Sequence, residues 1–394
     1  MPPRFRLERL ALSRFRSFAA LSLRFEAPIA LFVGPNGAGK TNLLEAVSLL
    51  APGRGLRGAR LADLPRRDGG SKSTPPSDGT WAVHGRFATP FGPLEVGTGV
   101  ESAEATRRTL LMDGMPAKSQ AEVAARVAMV WLTPQMDALF QEGASGRRRF
   151  LDRLVWALEP AHARELAAYE TAAAERNRLL AAGRADPAWL AGLEDAIARH
   201  GVAVAAARRS LVAALNRTLA GGVAGAFPRA ILACACPWAE ALDRAPALVV
   251  EDNLRARLAE DRVGDAEHGT TRAGPHRADL TLAHGETGMP AGLCSTGEQK
   301  ALLVSVVLAH AALIGKMRGF GPLLLLDEVA AHLDAERRRA LFAALAALPC
   351  QALLTGTETA PFAALSGLAE AFAVAEGRVS PLALGPAQER HVAL

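Results

Sequence analysis

One junction near the N-terminus constrains this chain more than any other feature. Ile29 to Val33 is a continuous apolar run between Pro28 and Gly34, as expected of a strand buried on both faces. Gly34-Pro35-Asn36-Gly37-Ala38-Gly39-Lys40-Thr41 follows and fits GxxxxGK[ST]. Thr41 to Leu50 then reads as a helix stopped by Pro52-Gly53. In that order the glycines let backbone N–H groups curl toward phosphate oxygens, and the helix offers its positive N-terminus. Lys40 is placed to reach β- and γ-phosphates, and the Thr41 hydroxyl to bind Mg²⁺. The alternative is a chance glycine-rich turn. Lysine is scarce here, at positions 40, 72, 118, 300 and 316 only, and one of the five closes the motif.

A second acid-bearing segment completes the chemistry. Leu323 to Leu326 runs straight into Asp327-Glu328. A carboxylate at the end of a buried strand is where a second Mg²⁺ contact belongs. The adjacent Glu328 is placed to polarise a water for attack on the γ-phosphate. Alone, this would be an ordinary strand end with solvated acids, and the P-loop changes that reading. Asp334 adds an acid at a fixed offset. About thirty residues before Asp327, Ser295-Thr296-Gly297-Glu298 opens an apolar helix running from Glu298 to Ile314. Ser295 with Glu298 three residues on fits a capping box. A serine and a glycine at a helix N-terminus also make a second phosphate-binding surface. The P-loop already serves the phosphates from its own side, so this surface most naturally closes over nucleotide held by another subunit.

In this combination the chain resembles the ABC-type ATPases. Their Walker B and D-loop read DExxxxLD, as do Asp327 to Asp334, and their signature is often LSGGQ. Ser295 and Gly297 match that signature, Thr296 replaces a glycine, and Glu298 stands where many members have Gln. Leu12 to Phe18 is similar to the opening of the structural-maintenance-of-chromosomes-like (SMC-like) ATPases. Thr271 to Leu280 with its Gly274-Pro275-His276-Arg277, Trp131 to Asp152, and Ser295 to Lys300 resemble the RecF family within that class. The resemblance spans essentially the whole length. It implies an α/β fold: an ABC-type P-loop ATPase head, discontinuous in sequence, with an inserted mainly helical lobe and no long coiled coil. It implies ATP and Mg²⁺ as cofactors, slow DNA-stimulated hydrolysis, and an ATP-dependent homodimer. It further implies binding of duplex DNA near single-strand gaps, and partnership with RecR and RecO in loading RecA during recombinational repair and replication. Gln135 falls in the Q-loop region, with Gln141 as a rival. Thr357 stands where transporter ATPases place a switch histidine, and a threonine carries protons less well at neutral pH than His.

The pattern along the chain fits such a head. Strand-like pieces occur at Leu21 to Phe25, Trp81 to Phe87, Leu94 to Val100, Thr109 to Met112 and Ala128 to Leu132, with Asp113-Gly114 as a hairpin turn. Gly69 to Gly79 reads as a polar loop. From Arg147 to about Leu219 the sequence is rich in Ala, Leu, Arg and Glu with few strand formers, Phe150, Leu151, Leu154, Val155 and Leu158 make a helical stripe, and three or four helices are expected. Strand character returns at Ala247 to Val250 and Asp279 to Ala283. Leu323 to Leu326, a helix from Ala335 to Leu348 and a strand from Gln351 to Thr355 close the pattern. The expected division is 1–135 for the first part of the head, 136–258 for the lobe and 259–394 for the rest of the head.

Composition narrows the partners. The chain has 394 residues, 45 Lys and Arg against 40 Asp and Glu, and a net charge of +5, a weak pointer to nucleic acid. Arg54, Arg57 and Arg60 would share one face if their stretch were helical, and Arg147, Arg148 and Arg149, with Arg153, form a second cluster. Arg208 and Arg209 are a smaller third. These are candidates for duplex phosphates, and solvated faces are the competing reading. One Tyr and five Trp leave little for base stacking. Four cysteines without a CxxC pair suggest neither a zinc site nor a disulfide framework. No signal-peptide core is expected at the N-terminus, the longest apolar run is shorter than a bilayer span of ~20 residues, and the chain reads as cytoplasmic. Two other readings stay open: a nucleotide-gated scaffold in which hydrolysis is dispensable, and, disfavoured by the inserted lobe, the ATPase subunit of a transporter.

Overall fold

The computed structural model describes residues 4–66, 79–183, 186–331 and 333–385. The polar loop expected at Gly69 to Gly79 lies, except for Gly79, outside them. The chain forms two compact units, one of residues 1–137, 222–228 and 295–394, the other of 138–221 and 229–294.

The first unit is built on two sheets. One has the strand order Arg378–Leu382, Ala369–Ala375, Ile29–Val33, Gln351–Gly356, Leu323–Leu326, Met129–Leu132. Its pairings are parallel except at the Arg378–Leu382 edge. Every residue of Ile29–Val33, Leu323–Leu326 and Gln351–Gly356 is buried, which is why the first two read as unbroken apolar runs and the third shows no alternation. Leu326 lies in register with Leu132 on one side and Leu354 on the other. The strands therefore end together, and the residues after Val33, Leu132, Leu326 and Gly356 gather at one rim, where ligands of parallel sheets bind.

The other sheet is antiparallel, in the order Phe18–Arg24, Arg6–Phe15, Trp81–Thr89, Gly92–Val100, Thr109–Met112, Met115–Pro116. Asp113-Gly114 makes its two-residue turn, both residues at positive φ (49° and 79°), as a type I′ hairpin requires. The P-loop helix, Lys40–Ser48, touches strands of both sheets. The buried Gln351 side chain stitches them together: its oxygen accepts from the Leu7 N–H (2.7 Å) and its amide donates to the Leu7 carbonyl (3.1 Å). The helix Thr296–Arg318 is long and apolar enough to cross a membrane by length and composition. It is instead a core helix, buried without interruption from Gln299 to Ala311.

The second unit is mainly helical. Ala144–Leu158, His162–Ala181 and Pro187–Ala220 are the three helices of the alanine-rich region. Tyr169, Ala172, Ile197, Ala198, Val202, Val250, Leu254 and Leu258 form one core. Two sequence expectations need correction here. Ala247 to Val250 is not a strand but the first turn of the helix Ala247–Glu260. Local β-branched character loses to a tertiary stripe, because Val250, Leu254 and Leu258 at helical spacing bury against Ile197 and its neighbours. The lobe also runs on to Cys294 rather than ending at 258. Asp279–His284 pairs antiparallel with Ala230–Ala235, and Asp265 is buried against Arg176. That arginine also binds Glu194 (3.1 Å), the Thr271 hydroxyl (3.0 Å) and the Leu258 carbonyl (2.6 Å).

Candidate nucleotide-binding site

A cavity of about 510 Å³ opens at the strand-end rim, lined among others by Asn36, Gly37, Gly39, Lys40, Thr41 and Thr357. The P-loop leaves Val33 and turns into the helix at Gly39, whose φ is +107°; a Cβ there would stand 2.5 Å from the Ser17 hydroxyl. Only glycine suits both conditions. Lys40 is buried and folds back over the loop, donating to the Gly34 (2.7 Å) and Pro35 (3.1 Å) carbonyls. Its ammonium lies 3.4 Å from the Glu328 carboxylate.

Asp327 is the hub. The Thr41 hydroxyl lies 3.0 Å from both of its oxygens, and the Thr355 hydroxyl donates to it at 2.8 Å. Burial pushes the Asp327 carboxyl above the usual range, while these two hydroxyls pull it back. Thr355 also accepts the Glu328 N–H at 2.8 Å, so one buried hydroxyl orients both acids. A hydroxyl and a buried carboxylate are the hard oxygen donors that Mg²⁺ prefers, and the set fits that ion.

Sequence reasoning missed several lining residues. Arg57, grouped with Arg54 and Arg60 as a DNA candidate, sits on the rim of this cavity. It donates to Asn42 (2.9 Å) and pairs with Glu45 (3.2 Å), which Arg16 also grips. Residues 51–60 are bends and turns rather than a helix, broken by Gly53, Gly55 and Gly58, so the three arginines do not share a helical face. After Leu132, Pro134 and Asp137 line the cavity, whereas Gln135 is exposed and outside the lining, as is Gln141. Lys300 lines it too. Its scarcity among the basic residues was the one available signal. At the signature, the Ser295 oxygen accepts the Glu298 N–H and the Glu298 carboxylate accepts the Ser295 N–H, closing the capping box around Thr296 and Gly297. Asp334 caps the helix Ala335–Ala347 by accepting the Arg337 N–H at 2.8 Å.

The RecF/RecN/SMC N terminal domain matches residues 6–379. The DNA replication and repair protein RecF of Mesorhizobium japonicum is 46% identical over 387 residues, covering 97% of this chain and 99% of its own. The chain belongs to the RecF family. The RecF of Agrobacterium fabrum is similar to the same degree, 46% over 377 residues, covering 95% of this chain and 98% of its own. Among solved structures, that of the recombination mediator protein RecF-ATPrS in the RecFOR pathway superposes with a TM-score of 0.82 at 22% identity, covering 97% of this chain and 99% of that one. The Smc head domain of Pyrococcus furiosus gives 0.53 at 16%, covering 96% and 97%. Both likenesses concern the fold, an ABC-type ATPase head.

In this RecF-family chain, the remaining arginine candidates divide by what they touch. Arg147 makes a bidentate pair with Asp279 (2.7 and 2.9 Å) and Arg148 donates to the Ala278 carbonyl (2.8 Å). Arg208 is buried on Asp152, and Arg209 pairs with Asp243. Arg54, Arg60 and Arg149 are exposed. His276, given no role from sequence, locks a turn in the lobe. Its Nε2 faces the Thr271 carbonyl at 2.8 Å, so Nδ1 is left to accept the Tyr169 hydroxyl. Burial holds this imidazole below its ordinary pKa, in keeping with a neutral ring. Gly274 must stay a glycine for this contact, since its φ is +144° and a Cβ would meet the Tyr169 oxygen at 2.3 Å.

Proposed function

We propose that this chain is an ATP-dependent DNA-binding protein of replication and recombinational repair, whose hydrolysis of ATP is slow and controls dimerisation. The observation that carries the reading is the meeting of Thr41 and Thr355 on Asp327, beside a Lys40–Glu328 pair, at the mouth of one cavity. P-loop amides and Lys40 hold the phosphates, and Thr41 and Asp327 hold Mg²⁺. The bound ion supplies positive charge that offsets the charge developing on the phosphates. Lys40 gives up Glu328 for the γ-phosphate, which frees that carboxylate to orient the attacking water. Thr357 lines the cavity in place of a histidine and assists proton movement poorly, in keeping with slow turnover.

Ser295 and Gly297 close over the nucleotide of a second copy, so two chains are joined by ATP. The closed dimer holds duplex DNA beside a single-strand gap, and RecR and RecO act with it to load RecA. Sedimentation with and without ATP and Mg²⁺ tests the core of this reading. The wild-type chain is expected to dimerise only with both, and Lys40→Arg and Ser295→Arg chains to stay monomeric. Variants that dimerise as well as wild type would overturn it. Glu328→Gln is expected to bind ATP and remain dimeric, and if it still supports RecA loading over many cycles, hydrolysis is dispensable.

A further inference from the structure

Glu328, the residue assigned to the attacking water, has a backbone φ of +51°, in the left-handed region that a side chain with a Cβ seldom occupies. Such a residue keeps its place only where its surroundings over-determine it. Two side chains from two other elements do so. On the N-terminal side, the Glu328 N–H donates to Thr355 at the end of its strand (2.8 Å). On the C-terminal side, the Lys300 ammonium donates to the Glu328 carbonyl (3.2 Å) and to the Ala331 carbonyl (2.8 Å). A third partner, the Asp137 carboxylate, lies 3.7 Å from the same nitrogen. Lys300 is 4% exposed, and a buried ammonium needs such a set of acceptors.

We propose that Lys300 is a positioning residue for Glu328, tying the catalytic turn of each chain to the first turns of that chain's own signature helix. Lys300 stands five residues after Ser295 and one turn into the helix Thr296–Arg318. Its partners are not scattered core carbonyls. They are the backbone of Glu328, the end of the turn that follows it, and Asp137, an acid that also lines the nucleotide cavity. A movement of the signature helix as it seats on a partner's nucleotide therefore pulls on the carboxylate that serves its own nucleotide. Attack by water is sensitive to displacements of ~1 Å, so a tether of this kind sets the rate through the position of Glu328. The proposal rests on the ATPase reading above.

The test compares wild type with Lys300→Met and Lys300→Arg for ATP binding, ATP-dependent dimerisation by sedimentation, and single-turnover hydrolysis. Lys300→Met is expected to bind ATP within about twofold of wild type and to dimerise, while hydrolysis falls about tenfold or more, with partial rescue by Lys300→Arg. A residue that acts through Glu328 loses its effect when Glu328 is gone. Lys300→Met is therefore expected to change the residual rate of Glu328→Gln by less than about twofold. Hydrolysis by Lys300→Met at the wild-type rate, or an equal loss in both backgrounds, would overturn the proposal. Should Lys300→Met yield no folded chain, Lys300→Gln and Lys300→Arg carry the same comparison. A wild-type chain that binds ATP but never turns it over overturns the ATPase reading itself, and that outcome shows in the wild-type arm alone.

Discussion

Thr355 serves two acids at once, and its loss separates geometry from charge. Thr355→Val keeps the shape of a fully buried side chain but leaves Asp327 and the Glu328 N–H each one partner short. Unfolding free energy is expected to fall by about 1–3 kcal/mol in urea titrations. Single-turnover hydrolysis is expected to drop more than ATP affinity does. In the lobe, Asp152 provides a pH test. Burial pushes its carboxyl up, but hydrogen bonds from His162 and Arg208 outweigh burial and hold it below the usual carboxylate range. A carboxylate depressed in the fold stabilises it above the unfolded pKa, about 4, and that contribution is lost as pH falls through the folded value. Urea midpoints are therefore expected to drop on acidification below about pH 4. Asp152→Asn is expected to be less stable at neutral pH and flatter across that window. None of this was readable from the chain. Thr355 and Asp152 are ordinary residues in sequence, and their partners lie up to 56 positions away.

The signature helix carries two roles on one residue. Ser295 caps it, and in the proposed dimer the same oxygen would meet a partner's nucleotide. Ser295→Ala is expected to lower stability by about 1 kcal/mol in thermal unfolding and to weaken the ATP-dependent dimer. Asparagine caps nearly as well as serine, so Ser295→Asn should recover the stability and not the dimer. Recovery of both would mean that capping alone matters. Element identity was legible wherever pattern and burial agree, as in the apolar runs at Ile29 and Leu323 and the Ser295 helix. It failed at Ala247 to Val250. Four residues cannot show a helical stripe, and the stripe that decides the matter needs Leu254 and Leu258, four and eight residues beyond Val250.

The whole molecule brings charge to account. A net charge of +5 is small, and part of the arginine surplus is internal structure. Arg149 is exposed, so Arg149→Ala is expected to weaken duplex binding and reduce its salt slope by about one if that face meets phosphates. Arg147→Ala should chiefly cost stability, because Asp279 loses its bidentate partner. Both are checked by titrating duplex at several salt concentrations alongside thermal unfolding. Arg176→Met would leave the buried Glu194 and Asp265 carboxylates with one cation each, Arg262 and Arg272, and is expected to cost about 1–3 kcal/mol of unfolding free energy in urea.

By itself the sequence determined the strand–loop–helix order of the P-loop, the acids after Leu326, and the capped serine of the signature. Each of these works through residue types at short, fixed offsets, where local geometry leaves little choice. The tertiary structure alone decided which distant groups meet. Thr41 and Asp327 are 286 positions apart and come together only because parallel strands end at one rim. It also decided that Lys300 holds Glu328 and that Arg57 faces the cavity. An ammonium or a guanidinium pairs with whichever acceptors the fold brings within reach, and spacing along the chain does not encode that choice.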